Sequence, residues 1–297
     1  MSDQPIITIE GATATGKTDF AINLAKQIGS QIISADSRQI YKYLDIGTAK
    51  PTKSQQKDVR HHLLNIVEPN EIYNAGRFAV DANRIIAEQK IPIVSGGTGF
   101  YVSALIEGLS PIPPIPPAFR KKVQKTKNPF ELLRQKDRIS ADSIHPNDKQ
   151  RTIRALEVVL FFGKSIREFW MSEPPKNRLK PFKILLTEKR EILYKRIEQR
   201  FDKMMDNGLL SEIEEVLKRG YKWTDAGLNT LGYKEFKDYY LGEKSLAESI
   251  EAAKKDTRRF CKRQITWYRK KEFDLTLNSQ NISMSSLMCR INKYLRI

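Results

Sequence analysis

Eight residues near the start of the chain have the types and spacing needed to bind a polyphosphate. The segment Gly11–Thr18 has the P-loop pattern G-x-x-x-x-G-K-T. Its glycines let successive backbone N–H groups point into one hollow, and the N-terminus of the following helix adds partial positive charge. Lys17 would bridge two phosphoryl groups, and the Thr18 hydroxyl would hold Mg²⁺. The pattern indicates a polyphosphate, but it neither identifies ATP nor requires phosphoryl transfer.

Two further segments place polar groups where chemistry could occur. Asp36 directly follows an apolar stretch at 31–35, and Thr98 lies in the glycine-rich turn Gly96–Tyr101 after a second apolar stretch. In open α/β sheets, ligands bind outside the carboxyl ends of the strands. Because Asp36 would share that edge with the P-loop, we favour a chemical role over helix capping, the common structural role of such an aspartate.

The elements that would position these groups are short buried strands and amphipathic helices. Strands are predicted at 6–9, 31–35, 91–95 and 182–187, with an edge strand within 61–67. Helices follow the P-loop and cover 78–87, 190–219 with an interruption at Asn207-Gly208, and 245–269. The alternation predicts an α/β fold: a P-loop NTPase-like parallel sheet flanked by helices, with a mainly helical insertion and a helical C-terminal region.

A proline-rich connector at 111–117 marks where the chain leaves the first unit. We predict a catalytic core from 1–110 and 181–275, a mainly helical and basic insertion at 111–180, and a tail at 276–297. Within the insertion, Arg151 and Arg154 are three residues apart on one helical face, a spacing that suits phosphate clamping as well as simple solvation. In the loop before Pro51, Thr48 and Lys50 could reach a phosphate or simply form a connector.

Charge is the second strong signal of the sequence. Among 297 residues, 52 Lys and Arg outnumber 35 Asp and Glu, which gives a net charge of +17. The excess is concentrated at 118–138, 149–200 and 254–271, and such clustering favours a nucleic-acid partner over an evenly basic surface. No apolar stretch is long enough for a membrane span, no signal peptide is evident, and Cys261 and Cys289 lack metal-site spacing. A cytoplasmic protein is expected.

Taken together, the motifs resemble those of the tRNA dimethylallyltransferase (isopentenyl-tRNA transferase) family, of the bacterial type. The resemblance runs in the family's order from about residue 5 to 270. It rests on eight segments: Gly11–Thr18, Ser34–Tyr41, Asp45–Pro51, Gly96–Tyr101, His145–Asp148, Arg151–Glu157, Leu231–Glu235 and Lys262–Trp267. Ala12 and Thr15 stand where the family more often has Pro and Ser, and both are small enough to preserve binding.

The resemblance implies transfer of a dimethylallyl group from its diphosphate to N6 of adenine-37, beside the tRNA anticodon. Asp36 would act as general base. Lys17, Thr18 with Mg²⁺, and Arg154 would neutralise the leaving diphosphate, while Thr98 would hold a diphosphate oxygen or place the substrates. The residues expected to contact the diphosphate are Gly11, Ala12, Thr13, Ala14, Thr15, Gly16, Lys17 and Thr18.

The resemblance also implies that the chain, expected to be a monomer, binds the anticodon stem-loop with the target adenine flipped out. The residues expected to contact tRNA are Asp36, Ser37, Arg38, Gln39, Thr98, Arg120, Gln150, Arg151, Thr152, Ile153, Arg154, Leu228, Asn229, Thr230, Leu231, Gly232 and Tyr233. Three alternatives stay open: prenylation of free AMP, a small-molecule P-loop kinase, and a non-enzymatic RNA-binding protein. The first two leave the basic helices unexplained, and the intact Lys17 and Asp36 argue against the third.

Overall fold

The computed structural model describes residues 4–171, 179 and 181–295. Its described residues contain one six-stranded sheet. The strands are β1 (Ile7–Gly11), β2 (Ile32–Ser34), β3 (His61–His62), β4 (Ile93–Gly96), β5 (Phe182–Thr187) and β6 (Leu275–Asn278). Every pairing is parallel, and the order across the sheet is β3-β2-β4-β1-β5-β6. The predicted parallel α/β fold is confirmed, and the P-loop strand β1 lies inside the sheet between β4 and β5.

The helices that alternate with these strands begin close to the predicted positions. Before β5 they are α1 (Lys17–Ile28), α2 (Lys53–Asp58), α3 (Ala75–Ala87), α4 (Gly99–Ile106), α5 (Pro117–Gln124), α6 (Pro129–Lys136), α7 (Arg138–Ser143), α8 (Lys149–Phe162) and α9 (Ile166–Met171). After β5 they are α10 (Arg190–Asp206), α11 (Leu209–Lys218), a 3₁₀ turn (Lys234–Phe236), α12 (Lys237–Tyr240), α13 (Leu246–Tyr268) and α14 (Met284–Leu295).

Alternation along the strands sends successive side chains into two apolar layers. Ile32 packs in the layer that contains the buried residues of α1 and α14, whereas its neighbour Ile33 packs with Phe78 of α3 on the opposite face. Helices on both faces are what an all-parallel sheet requires, because neither face can be left to water. The buried sheet therefore holds the carboxyl ends of β1, β2 and β4 in fixed register.

The chain forms two compact units, which comprise 1–107 with 178–297, and 108–177. The first contains the sheet. In the second, α5 to α9 surround a core of its own that includes Leu133 and Leu156. These boundaries lie three residues before the predicted ones at 111 and 180.

The C-terminal segment, predicted as a tail at 276–297, contains the strand β6 and the helix α14. β6 pairs with β5 from Leu275 to Asn278. Leu287 and Ile291 of α14 are buried in the same apolar layer as the buried residues of α1. Its polar composition hid this role, because the apolar side chains that pack here are separated by polar residues. None of the helices in the described residues is long and apolar enough to cross a membrane.

Candidate active site

The P-loop curls at the end of β1 in the conformation that its glycines permit. Gly11 has φ of 153°, and a Cβ there would lie 2.5 Å from the carbonyl oxygen of Leu186. Gly16 has φ of 84° and begins α1, whose Phe20 N–H bonds to the Gly16 carbonyl at 3.1 Å. Ala14 also adopts a left-handed φ of 66°. The segment therefore forms a tight loop at the start of α1.

Lys17 is folded back onto this loop. Its Nζ donates a hydrogen bond to the Ala12 carbonyl at 2.7 Å. Burial, together with the nearby positive charge of Arg200, lowers the pKa of Lys17 to about 8. A bound phosphate would offset both effects, since it supplies an anionic partner for the ammonium group.

Asp36 organises the turn after β2. Its Oδ1 accepts hydrogen bonds from the backbone N–H groups of Arg38 at 2.9 Å and Gln39 at 3.4 Å. The Thr98 Oγ1 accepts from the Ser37 N–H at 3.0 Å and donates to the Ser37 Oγ at 3.3 Å. The Thr98 hydroxyl thus braces the turn that carries Asp36.

One cavity of about 180 Å³ brings the P-loop and the Asp36 turn together. Asp36, Arg38 and Gln39 line it, whereas Ser37 and Thr98 do not. The P-loop residues that line it are Thr13, Ala14, Gly16, Lys17 and Thr18. Two residues of the loop 228–233, Leu231 and Gly232, also line it.

Other residues that were not predicted as site residues also line this cavity. Arg200 of α10 faces it, as do Phe260 and Gln264 of α13. The Arg38 guanidinium lies 4.4 Å over the Phe260 ring, a cation–π contact that orients the cation. A signal existed for Gln264, which lies inside the Lys262–Trp267 segment, but its type alone gave no role.

The loop after the Asp36 turn is held by the buried ammonium group of Lys50 and the carboxylate of Asp45. Lys50 Nζ contacts Asp45 Oδ1 at 2.6 Å and the Tyr41 carbonyl at 2.5 Å, and the Thr48 hydroxyl donates to the Leu44 carbonyl at 2.6 Å. The suggestion that Thr48 and Lys50 reach a phosphate is therefore not supported, because both polar groups are already used within the loop. They form the connector that was the alternative.

Glu212 of α11 anchors the same loop from outside. It accepts from the N–H groups of Asp45, Ile46 and Gly47 at 2.7–3.2 Å, and from the Tyr233 hydroxyl at 2.6 Å. Tyr233 is completely buried, and burial together with the Glu212 charge raises its pKa.

Burial restricts the predicted tRNA contacts in the loop 228–233. The side chains of Leu228 and Tyr233 are fully buried, so neither offers RNA a surface in this structure. Asn229 is exposed and Thr230 is half-buried. Contacts through side chains are thus restricted to the exposed part of the loop.

The second unit holds its predicted basic residues around one buried carboxylate. Glu157 is 1% exposed, and its Oε2 binds Arg120 Nε at 3.1 Å and the Arg154 guanidinium at 3.3 Å. Asp148 caps α8 and lies 3.5 Å from the guanidinium of Arg151, which is largely exposed. Glu157 therefore holds Arg120 and Arg154, whereas Arg151 pairs with Asp148 instead.

The other α8 residues expected at the tRNA differ in exposure. Gln150 is exposed, Ile153 is half-buried, and the Thr152 side chain is buried in the core of the unit. Thr152 therefore offers RNA no side-chain surface, because its helical position faces inward.

Comparisons with known proteins agree on one family. The family model described as IPP transferase matches residues 39–271. The tRNA dimethylallyltransferase of Thermotoga maritima is 40% identical over 89% of each chain, and that of Caldanaerobacter subterraneus subsp. tengcongensis is 42% identical over 90% of each.

Solved structures give the same result. The tRNA isopentenylpyrophosphate transferase of Bacillus halodurans is 31% identical with a TM-score of 0.72, and the match covers 99% of this chain and 96% of that one. A eukaryotic dimethylallyltransferase captured acting on tRNA has a TM-score of 0.84 at 25% identity, over 99% of this chain and 80% of its own.

Proposed function

Since the chain belongs to the IPP transferase family, we propose that it transfers a dimethylallyl group from dimethylallyl diphosphate to N6 of adenine-37 in tRNA and releases diphosphate. The observation that carries this proposal is the shared cavity, which is lined by both the P-loop and Asp36. A prenyl transfer needs these two groups close together, because one holds the leaving group while the other takes a proton from the attacking amine.

The proposed reaction is a displacement at the allylic carbon. The N6 atom of adenine forms the new C–N bond, the C–O bond to the diphosphate breaks, and the N6 proton passes to Asp36. Because Asp36 Oδ1 is occupied by the backbone N–H groups of Arg38 and Gln39, Oδ2 is the oxygen left to accept this proton. Thr98 is assigned a positioning role, since its hydroxyl bonds to Ser37 of the same turn.

The leaving diphosphate is assigned to the P-loop. Lys17 would exchange its bond to the Ala12 carbonyl for a phosphate oxygen, and backbone N–H groups of the loop would supply further donors. Thr18 lines the cavity and its hydroxyl is a hard oxygen donor, so it suits Mg²⁺, which would neutralise charge on the diphosphate when bound. The role of Arg154 toward the leaving group rests on the family resemblance alone.

The proposed acceptor is the anticodon stem-loop, with the target adenine flipped out of its stack. The net charge of +17 supports a polyanionic acceptor over free AMP, which has a single phosphate to bind. A cytoplasmic location and a monomeric state belong to the same proposal.

The test is incubation of the protein with bulk tRNA, Mg²⁺ and radiolabelled dimethylallyl diphosphate, with AMP and ATP as parallel acceptors. Label mapped to adenine-37 supports the proposal. Label in AMP or ATP alone would replace tRNA prenylation by free-nucleotide prenylation. No label in any arm, with a related tRNA dimethylallyltransferase active in the same mixture, would overturn transferase activity.

A further inference from the structure

The side chain of Gln264 connects two loops that lie far apart in sequence. Its Oε1 accepts a hydrogen bond from the Thr13 N–H of the P-loop at 2.8 Å. Its Nε2 donates to the Gly97 carbonyl, in the turn after β4, at 2.7 Å. Gln264 is 6% exposed, so both bonds are largely protected from water.

A carboxamide is the neutral side chain that suits this position, because it offers an acceptor and a donor on one planar group. Its orientation is set by its partners, since a flipped amide would point N–H at N–H and oxygen at oxygen. The contact is close: a Cβ on Gly97 would lie 2.7 Å from Gln264 Nε2.

The bridge continues into the turn that carries Asp36. Gly97 precedes Thr98, whose N–H bonds to the Ala35 carbonyl at 3.1 Å and whose hydroxyl accepts from the Ser37 N–H at 3.0 Å. Hydrogen bonds and the Gly97–Thr98 peptide bond thus make one continuous frame from Thr13 through Gln264, Gly97 and Thr98 to Ser37. It joins the loop assigned to the diphosphate with the turn assigned to the adenine.

We propose that Gln264 is a positioning residue that sets the separation between the P-loop and the Asp36 turn, and hence between the two substrates at the moment of transfer. This inference rests on the proposed function, and it assigns Gln264 no contact with the reacting atoms. Displacements of about 1 Å in such a frame can change a rate by about 100-fold, because the reacting atoms must lie in line.

Two variants separate the two hydrogen bonds. Gln264→Met keeps the length of the side chain and removes both bonds. Gln264→Glu can still accept from the Thr13 N–H, but its carboxylate cannot donate to the Gly97 carbonyl until it is protonated. Gln199→Met, an exposed glutamine of α10, is the matched control.

The first readout is turnover at saturating donor and tRNA, at a temperature where each variant is fully folded. Gln264→Met is expected to lower kcat at least tenfold while the Kd for tRNA stays within twofold of the wild type, and Gln199→Met should change neither. Gln264→Glu should also lower kcat, because an ionised carboxylate keeps the bond from the Thr13 N–H but cannot donate to the Gly97 carbonyl. Wild-type kcat in both Gln264→Met and Gln264→Glu would overturn the inference.

The second readout does not depend on activity. Amide hydrogen exchange should accelerate in Gln264→Met within 11–18 and 96–101 while the rest of the sheet stays protected. Uniformly faster exchange would indicate a purely structural role and would overturn the inference. If the wild type failed to label tRNA, the proposed function would fall, whereas the exchange pattern would still decide whether the frame exists.

Discussion

The cluster around Glu212 allows a quantitative test of how the cavity-lining loop is held. The carboxylate accepts three backbone N–H groups of the loop and the hydroxyl of the fully buried Tyr233. Hydrogen bonds to a charged group contribute about 1.5–3 kcal/mol each when partly buried, and a buried donor left without a partner costs about 1–3 kcal/mol.

These magnitudes predict an order of effects. Tyr233→Phe removes one charge-assisted bond and should lower the free energy of unfolding by about 1.5–3 kcal/mol. Glu212→Ala removes the acceptor of all four donors and leaves the Tyr233 hydroxyl buried without its partner, so a larger loss, of more than about 3 kcal/mol, is expected. In the Glu212→Ala background, Tyr233→Phe should be neutral or stabilising, because it removes that unsatisfied hydroxyl.

The assay is urea denaturation of the wild type, both single variants and the double variant. Glu215→Ala is the control on the same helix: its carboxylate is 64% exposed and pairs with Arg219 at the surface, so a change under about 1 kcal/mol is expected. If Tyr233→Phe had the same cost with and without Glu212, the two side chains would not be coupled, and the account of how this loop is held would be refuted.

Three further predictions concern the P-loop and Asp36. Asp36→Asn keeps the acceptor for the Arg38 N–H but loses the base, so kcat should fall by about 10²–10⁴-fold while tRNA affinity stays nearly unchanged. If binding and turnover assays showed kcat and tRNA affinity falling together, Asp36 would be a binding residue. The pKa of about 8 for Lys17 means that its positive charge is present below pH 8 and is lost above it. The affinity for dimethylallyl diphosphate, measured by calorimetry, should therefore fall by up to about tenfold per pH unit above 8. Lys17→Arg should abolish this pH dependence. Gly11→Ala should destabilise the protein in urea titrations, because its Cβ would lie 2.5 Å from the Leu186 carbonyl; an unchanged midpoint would contradict the P-loop geometry.

The sheet and its functional edge could be predicted because their signals are local. Apolar stretches such as 91–95 predict buried strands, and the glycines that follow two of them mark turns at the carboxyl ends. The parallel order then brings the P-loop and Asp36 to one edge without further information.

The parts that could not be predicted depend on partners distant in sequence. Gln264 lies 251 residues from Thr13, and Glu212 lies 165 residues from Gly47. Neither pairing leaves a periodic pattern. Thr48 and Lys50 were ambiguous for the opposite reason: their types suit a phosphate, but local partners already satisfy them.

The central place of β1 in the sheet has a consequence for synthesis of the chain. β4 is complete at Gly96, but β5, the other neighbour of β1, begins only at Phe182, after the whole second unit. At about 5–20 residues per second, the ribosome takes roughly 4–17 s to bridge this interval. During that time the P-loop strand has an unpaired edge in the nascent chain, and the second unit can form its own core before β5 pairs with that edge. Gln264 emerges later still, so the loop acquires its frame only when nearly the entire chain has been made.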